Sequence, residues 1–271
     1  MENRRLLITP ILSSFMEKAT FLGILASCSV LLGGILFAGG NPLGFIDLAA
    51  GLIIGGGVFC VVLTSFSLDE FMRLPAVVKK VFFHTKPNLL NVVNELVGLS
   101  EHARRSGLLS LDAKLPELKD PFLVSGLRMA IDGMPPEAVA SIMEREIEAV
   151  SGRHAIGAEM VSTLGRVAPV FGLIATLLGL ILMLAHMDPK TVGEHMSVAL
   201  TGTLYGIASA NLFFLPFAAK LRYFNKQEVL AMELKMHGVL SILGGESPRA
   251  AKTKLMVYIP DRLRPPDDLN E

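Results

Sequence analysis

Residues 167–185, VAPVFGLIATLLGLILMLA, contain no ionisable side chain and are long enough to cross a lipid bilayer. The hydrocarbon core of a membrane requires roughly 20 consecutive apolar residues per helix. Four runs meet this requirement, and they lie at about 19–39, 47–66, 166–185 and 197–218. The sequence therefore predicts an integral membrane protein with four transmembrane helices, which we number as spans one to four in chain order.

The charged residues lie almost entirely outside these runs and indicate how the chain is oriented. Only 18% of the residues are charged, whereas 51% are hydrophobic. Lys and Arg are concentrated between spans two and three and after span four, and the connection GNPLGFID between spans one and two has none. The positive-inside rule then places both termini and the middle segment in the cytoplasm. The net charge is zero, so no nucleic-acid partner is indicated.

The segment between spans two and three has the periodicity of helices and no pattern that demands a sheet. Residues 87–107 repeat apolar side chains at helical spacing and end at Gly107. No proline occurs between Pro136 and Pro169, which predicts one long helix running into span three. The tail from residue 246 shows little periodicity, and we expect residues 262–271 to be disordered. The predicted fold class is all-α, with two transmembrane hairpins and a helical domain between them.

This pattern divides the chain into five parts. They are a cytoplasmic lead-in (1–18), spans one and two (19–66), a cytoplasmic helical domain (67–165), spans three and four (166–218), and a cytoplasmic C-terminal helix and tail (219–271).

Small residues follow one face of span three and one face of span four. They are Gly165, Ala168, Pro169, Gly172, Ala175, Thr176 and Gly179 in span three, and Ala199, Gly202, Thr203, Gly206, Ser209 and Ala210 in span four. Small faces let helices approach closely in a bilayer. The two faces are expected either to pair within this chain or to receive a separate partner helix. A transmembrane threonine usually bonds back to a carbonyl of its own helix, and each proline frees a carbonyl and can kink its helix.

No acidic residue lies deep within a span. Asp47, Glu159, Asp188 and Glu194 all lie at or outside span ends. Proton and cation pathways through membranes normally contain an acid that binds the ion. If this chain forms part of such a pathway, the carboxylate has to come from another protein.

Several motifs in the right order resemble the flagellar stator subunit family of MotA and its sodium-type relative PomA. They are VAPVFGLIATLLGLILML and MSVALTGTLYGIASANLFFLPFAAKL in spans three and four, and EHARRSGLLSLD and AIDGMPPEAVASIMEREIE in the middle segment. The likeness covers nearly the whole chain from about residue 19. It implies a homo-pentamer in the bacterial inner membrane, around two copies of a MotB- or PomB-type partner whose single span supplies an essential aspartate. It also implies that ion flow turns one component against the other and that the cytoplasmic domain pushes on the rotor protein FliG.

The resemblance also implies roles for individual residues. The two functional prolines of the family match Pro169 and Pro216, and its rotor-facing charges match Arg104 and Asp112, with Arg105 as a helper. Asp112 departs from the more usual glutamate, which keeps the charge but shortens the reach.

The threonines that stand near the ion in sodium-type members match Thr176 and Thr203, whereas a third threonine is replaced by Gly202. The transported ion is a proton or sodium, and the hydroxyl oxygens favour sodium. No resident cofactor or metal is expected.

Three rival functions remain open at this point. An energy transducer of the ExbB/TolQ kind shares the partner's carboxylate, but those relatives have three spans. A gliding or other non-flagellar motor could use the same subunit. A stand-alone transporter or channel would need polar binding groups of its own, which the spans scarcely offer. An enzyme is not expected, because the chain has no nucleophile motif, metal cluster or phosphate loop.

Overall fold

The computed structural model describes residues 8–83, 87–185 and 192–265, with side chains from Thr20 onward. Its nine α-helices in these ranges are α1 (Ile8–Phe37), α2 (Leu48–Ser65), α3 (Leu68–Phe83), α4 (Leu89–Ser106), α5 (Pro121–Ile131), α6 (Pro136–Ala185), α7 (Val192–Ser209), α8 (Leu215–Leu243) and α9 (Pro248–Met256). A π-helical segment, Ala210–Phe214, joins α7 to α8, and 3-10 helices cover Pro42–Phe45, Leu108–Glu117 and Asp261–Leu263. The described residues contain no β-strand, so the all-α prediction is confirmed.

Four stretches are apolar and long enough to cross a membrane, as predicted. They are Thr20–Phe37 in α1, Leu48–Ser65 in α2, part of Pro136–Ala185 in α6, and part of Val192–Leu243. The prediction of a single helix from Pro136 into span three is confirmed, because α6 runs for 50 residues without a break.

The disorder expected for residues 262–271 is not observed in their described part, residues 262–265, and a helix forms earlier in the weakly periodic tail. Ser247 caps α9, because its hydroxyl accepts a hydrogen bond from the amide of Ala250 at 3.2 Å. Further on, Nε of Arg264 donates to the carbonyl oxygens of Met256 and Ile259, at 3.0 and 2.9 Å. These bonds order a segment whose sequence periodicity is weak. Residues 266–271 lie outside the described part of the chain.

The chain folds into two compact units. The first comprises residues 1–85 and 154–223, and the second comprises residues 86–153 and 224–271. In the first unit, α2 packs against α7 and α3 packs against α1 and α2. Its buried core includes Val58, Val62, Val161, Leu164 and Phe217.

The second unit has a core of its own. α4 packs against α9 and against the 3-10 helix Leu108–Glu117, which also contacts α5. Fully buried side chains from five elements meet there, including Leu96, Leu111, Leu123, Met143 and Leu234. Lys235 of α8 forms an ion pair with Asp120, whose other carboxylate oxygen caps the start of α5 by accepting from the amide of Leu123 at 3.1 Å.

Candidate functional site

The small faces of spans three and four lie against each other inside this chain. A methyl group added to Gly206 of α7 would lie 2.5 Å from the carbonyl oxygen of Ala168 in α6. One added to Gly202 would lie 2.5 Å from Cβ of Ala175. Real side chains are not found at such distances, so only glycine allows this approach. The two faces therefore pair within this chain, which is one of the two expectations from the sequence.

Thr176 and Thr203 meet at this helix contact. The hydroxyl of each lies within 3.1 to 3.5 Å of the carbonyl oxygens of Gly172 and Ala199, and the two hydroxyl oxygens are within hydrogen-bonding distance of each other. Each threonine thus reaches a carbonyl of its own helix, as expected, and one of the facing helix. The result is a group of four oxygens, half-buried between spans three and four, that shares only two hydroxyl protons.

The two prolines that were expected to have functional roles differ in their burial and in their position within a helix. Pro169 is half-buried within the continuous helix α6, and Pro216 is exposed at the second position of α8. The π-helical segment Ala210–Phe214 comes immediately before α8. In it, the amide of Leu215 donates to the carbonyl of Ala210 instead of the residue four positions back. The freed carbonyl that we predicted at Pro216 therefore falls at a wider helical turn, which the sequence pattern did not indicate.

Asn211 is a polar residue of span four that the sequence analysis missed. It lies in the π-helical segment, is exposed, and its Nδ2 donates to the carbonyl oxygen of Ile207 at 2.9 Å. A carboxamide within an otherwise apolar run, ASANLFFLPF, was the available signal.

Tyr205 connects span four to the loop between spans one and two, and it too was missed. Its hydroxyl donates to the carbonyl of Phe45 at 2.5 Å and accepts from the amide of Asp47 at 3.0 Å. The carboxylate of Asp47 caps α2 by accepting from the amide of Ala50 at 3.0 Å. Asp47 is therefore engaged in local structure. A tyrosine that combines an apolar ring with a polar tip was the sequence signal.

Glu159 is bound by two arginines of the same unit. One carboxylate oxygen lies 2.7 Å from Arg166, and the other lies 3.1 Å from Arg222 of α8. Glu194 lies in the first turn of α7, and Asp188 is outside the described residues. In the ranges that the structure describes, no group of three His, Cys, Asp or Glu side chains is placed to hold a metal ion.

The three residues predicted to contact a rotor lie together in the sequence of the second unit. Arg104 and Arg105 form the last turn of α4, which ends at Gly107 with φ of 86°. Asp112 follows in the 3-10 helix, between the buried Leu111 and Leu115. All three side chains are exposed. Arg105 pairs with Glu101 at 3.6 Å, and neither Arg104 nor Asp112 has an ion pair within the described part of the chain.

These features define a class of protein. It is a helical membrane protein with four spans, whose third and fourth spans pair with each other and carry no charge, and it has a charged helical domain. The sequence profile of the MotA/TolQ/ExbB proton channel family matches residues 114–234. Motility protein A of Bacillus subtilis (strain 168) is 36% identical over 256 residues, which are 92% of this chain and 94% of that protein. The protein YtxD of the same organism is 37% identical over 245 residues, or 89% and 90% of the two chains.

A solved structure shows the same fold. The flagellar MotAB stator complex from Bacillus subtilis contains a chain that matches with a TM-score of 0.82 and 34% identity, covering 89% of this chain and 96% of that one. The chain therefore belongs to the MotA/TolQ/ExbB proton channel family, on the side of MotA and PomA. This favours a stator subunit over an ExbB/TolQ-like transducer.

Proposed function

We propose that this chain is the stator subunit that, with a MotB- or PomB-type partner, converts a transmembrane proton or sodium gradient into torque on a flagellar rotor. The observation that carries the proposal concerns spans three and four. These helices bring hydroxyl and carbonyl oxygens together but contain no acidic residue. Residues 167–185 and 196–219 contain neither Asp nor Glu, although Thr176 and Thr203 gather four oxygens between them. Such a site needs an acid from outside the chain to bind and neutralise a cation.

The partner supplies that acid in this proposal. A single transmembrane helix with one aspartate would stand beside spans three and four, and Pro169 and Pro216 would shape the helices around it. Thr176 and Thr203 would line the ion path. Because hydroxyl and carbonyl oxygens suit a partly dehydrated sodium ion, sodium is the ion that we favour. The matching chain in Bacillus subtilis was solved as a MotAB complex, which supports a partner of this kind.

The exposed charges of the second unit would act on the rotor. Arg104 and Asp112 would pair with opposite charges of FliG, and Arg105 would add a second positive charge. Five copies of the chain would surround two copies of the partner in the bacterial inner membrane. Both termini would lie in the cytoplasm, as the distribution of Lys and Arg indicates.

Motility of cells that lack their own stators tests this function. We expect co-expression of this chain with its cognate single-span partner to restore swimming, and the same cells with the partner's aspartate changed to asparagine to stay non-motile. Swimming speed in sodium chloride and in choline chloride then identifies the coupling ion. If both proteins insert into the membrane and the cells still do not swim, the proposed function is wrong.

A further inference from the structure

Asn211 is an exposed polar side chain within a row of exposed apolar side chains on span four. Leu200, Leu204, Ile207 and Leu215 are exposed on the same side of the helix, at spacings of three and four residues. Asn211 is the polar member of this series, seven residues before the predicted end of span four at residue 218. At a rise of 1.5 Å per residue, it lies about 10 Å inside the hydrocarbon core.

The backbone around Asn211 departs from a regular α-helix. The amide of Leu215, which would donate to the carbonyl of Asn211 in an α-helix, donates to Ala210. In the wider π register the donor would be residue 216, and this is a proline without an N–H. The main-chain oxygen of Asn211 therefore receives neither of the two donors, four and five residues further on, that an α- or π-helical register would give it. Together with Oδ1, one residue presents two carbonyl-type oxygens.

Lipid cannot satisfy these oxygens. A carbonyl without a partner in hydrocarbon costs several kcal/mol, and irregular backbone at membrane depth occurs where protein or a water-filled path lies alongside. A second copy of this chain would bring few donors. The hydroxyls of its spans that already donate to carbonyls of their own chain include Ser27, Thr64, Ser65, Tyr205 and Ser209.

We propose that Asn211, through Oδ1 and its main-chain carbonyl, is a second ion-binding position of the pathway, on the cytoplasmic side of the Thr176–Thr203 pair. The ligand is the permeating monovalent cation with part of its water shell. Carbonyl oxygens are the groups that replace ion hydration in selective channels. The bond from Nδ2 to Ile207 holds the carboxamide in place so that Oδ1 is the atom left to bind. This inference rests on the function proposed above and names a further residue of the same pathway.

Cation influx through the complete complex tests this role. The chain is co-expressed with its partner, and influx is measured in sodium chloride and in choline chloride, together with co-purification of the partner. Asn211→Leu removes the amide but keeps a similar side-chain volume. It should lower cation influx at least about tenfold, which is the effect of losing one hydrogen bond to a charged group. Co-purification of the partner should be unchanged. Asn211→Gln keeps the amide oxygen, so its cation influx should stay within about threefold of the wild-type influx. This change is smaller than the one expected from the loss of one such hydrogen bond.

Ile207→Leu is the matched control, because Ile207 lies one turn earlier on the same exposed side, and it should behave as the wild type. Wild-type influx in Asn211→Leu would overturn the inference, as would loss of co-purification in Asn211→Leu alone, since Asn211 would then be a packing contact. A wild-type complex without any partner-dependent influx would refute the proposed function as well, and so the two failures are distinguishable.

Discussion

Two threonine side chains show how the hydroxyl groups of paired transmembrane helices find hydrogen-bond acceptors. Thr176 and Thr203 share the carbonyls of Gly172 and Ala199, so each hydroxyl depends on the position of the other. Hydrogen bonds between transmembrane helices contribute about 0.6 kcal/mol on average, because the separated helices also find partners. The pair is therefore a modest source of stability, and its larger effect is to fix where two oxygens point.

Replacement of both threonines by valine tests this coupling. Each single change, Thr176→Val or Thr203→Val, should lower the free energy of unfolding in detergent by about 1 kcal/mol, and the double change by less than the sum. Thr64→Val is the control, because Thr64 bonds only to Val61 of its own helix in the described structure. Its effect should add to that of Thr176→Val. Strict additivity of the Thr176 and Thr203 changes would contradict the shared geometry.

The carboxyl group of Glu246 has a lowered pKa. Hydrogen bonding from Lys254 lowers the pKa of this carboxyl below its ordinary value of 4.5, against the opposing effect of burial. A lowered pKa in the folded state stabilises the fold above the unfolded pKa, and this contribution disappears as the pH falls through the folded value. Because the lysine is well exposed, we expect the effect to be small.

Thermal unfolding of the full chain in detergent measures this effect. Glu246→Gln should lower the melting temperature slightly at pH 6 and have a smaller effect at pH 3.5, because this pH is below the ordinary pKa of 4.5 and part of the contribution of the lowered pKa is then lost. Glu101→Gln is the control, since Glu101 pairs with Arg105 across 3.6 Å on an exposed helix surface, and it should show little change at either pH. An effect of Glu246→Gln that grows towards acid would contradict the assignment.

At the scale of elements, two contacts hold the spans of the first unit together. Span three meets span four through glycines, and it meets α2 at Gly57, where an added methyl group would lie 2.0 Å from Phe171. The phenyl ring fills the space that a Cβ would take. Packing of this kind drives helix association in a bilayer, where burial of apolar surface does not.

Substitution of glycines by alanine tests this packing, because the free energy of unfolding should fall only where the added methyl group meets another helix. Gly206→Ala should destabilise the detergent-solubilised chain by about 1–3 kcal/mol, because the facing atom is the main-chain oxygen of Ala168 and cannot move aside cheaply. Gly55→Ala meets nothing within 4 Å and should be neutral or stabilising by up to about 1 kcal/mol. Equal effects of the two changes on the free energy of unfolding would contradict the observed packing.

The elements that could be predicted are those with long, strong patterns. Four apolar runs and a proline-free stretch from Pro136 suffice for the spans and for α6, because length and hydropathy determine them locally. The π-helical segment depends on how span four fits its neighbours, so Pro216 alone did not indicate it. α9 is held by the cap at Ser247, by the bond from Arg264 to the carbonyl of Met256 and by packing against α4, and the link from Tyr205 to Phe45 joins residues 160 positions apart.

The residues proposed to line the ion path and those proposed to contact the rotor belong to different compact units. Thr176 and Thr203 lie in the first unit, and Arg104 and Asp112 lie in the second. Each unit has its own buried core, so a surface charge of the second unit can be changed without disturbing the packing of the first. The two activities should therefore be separable by mutation.

Charge reversal on the second unit tests this separation. The double variant Arg104→Glu, Asp112→Arg should abolish or strongly reduce swimming while cation influx with the partner stays at the wild-type level. Lys114→Glu is the control on the same 3-10 helix, because Lys114 pairs with Glu117 at 3.6 Å and is not assigned to the rotor contact. Wild-type swimming of the double variant would exclude the assignment of Arg104 and Asp112.

The closeness of Gly206 to Ala168 also decides where a cation cannot travel. A gap that rejects a methyl group has no room for water, and an ion stripped of all water does not enter a contact between two helices. Conduction through this contact within a single copy is thus closed, and under the proposed function an ion would reach the half-buried Thr176 and Thr203 from the open side of the helix pair, which other chains would enclose. If the proposed function holds, permeation is created by assembly, and we expect an unassembled subunit to leave the membrane potential unchanged.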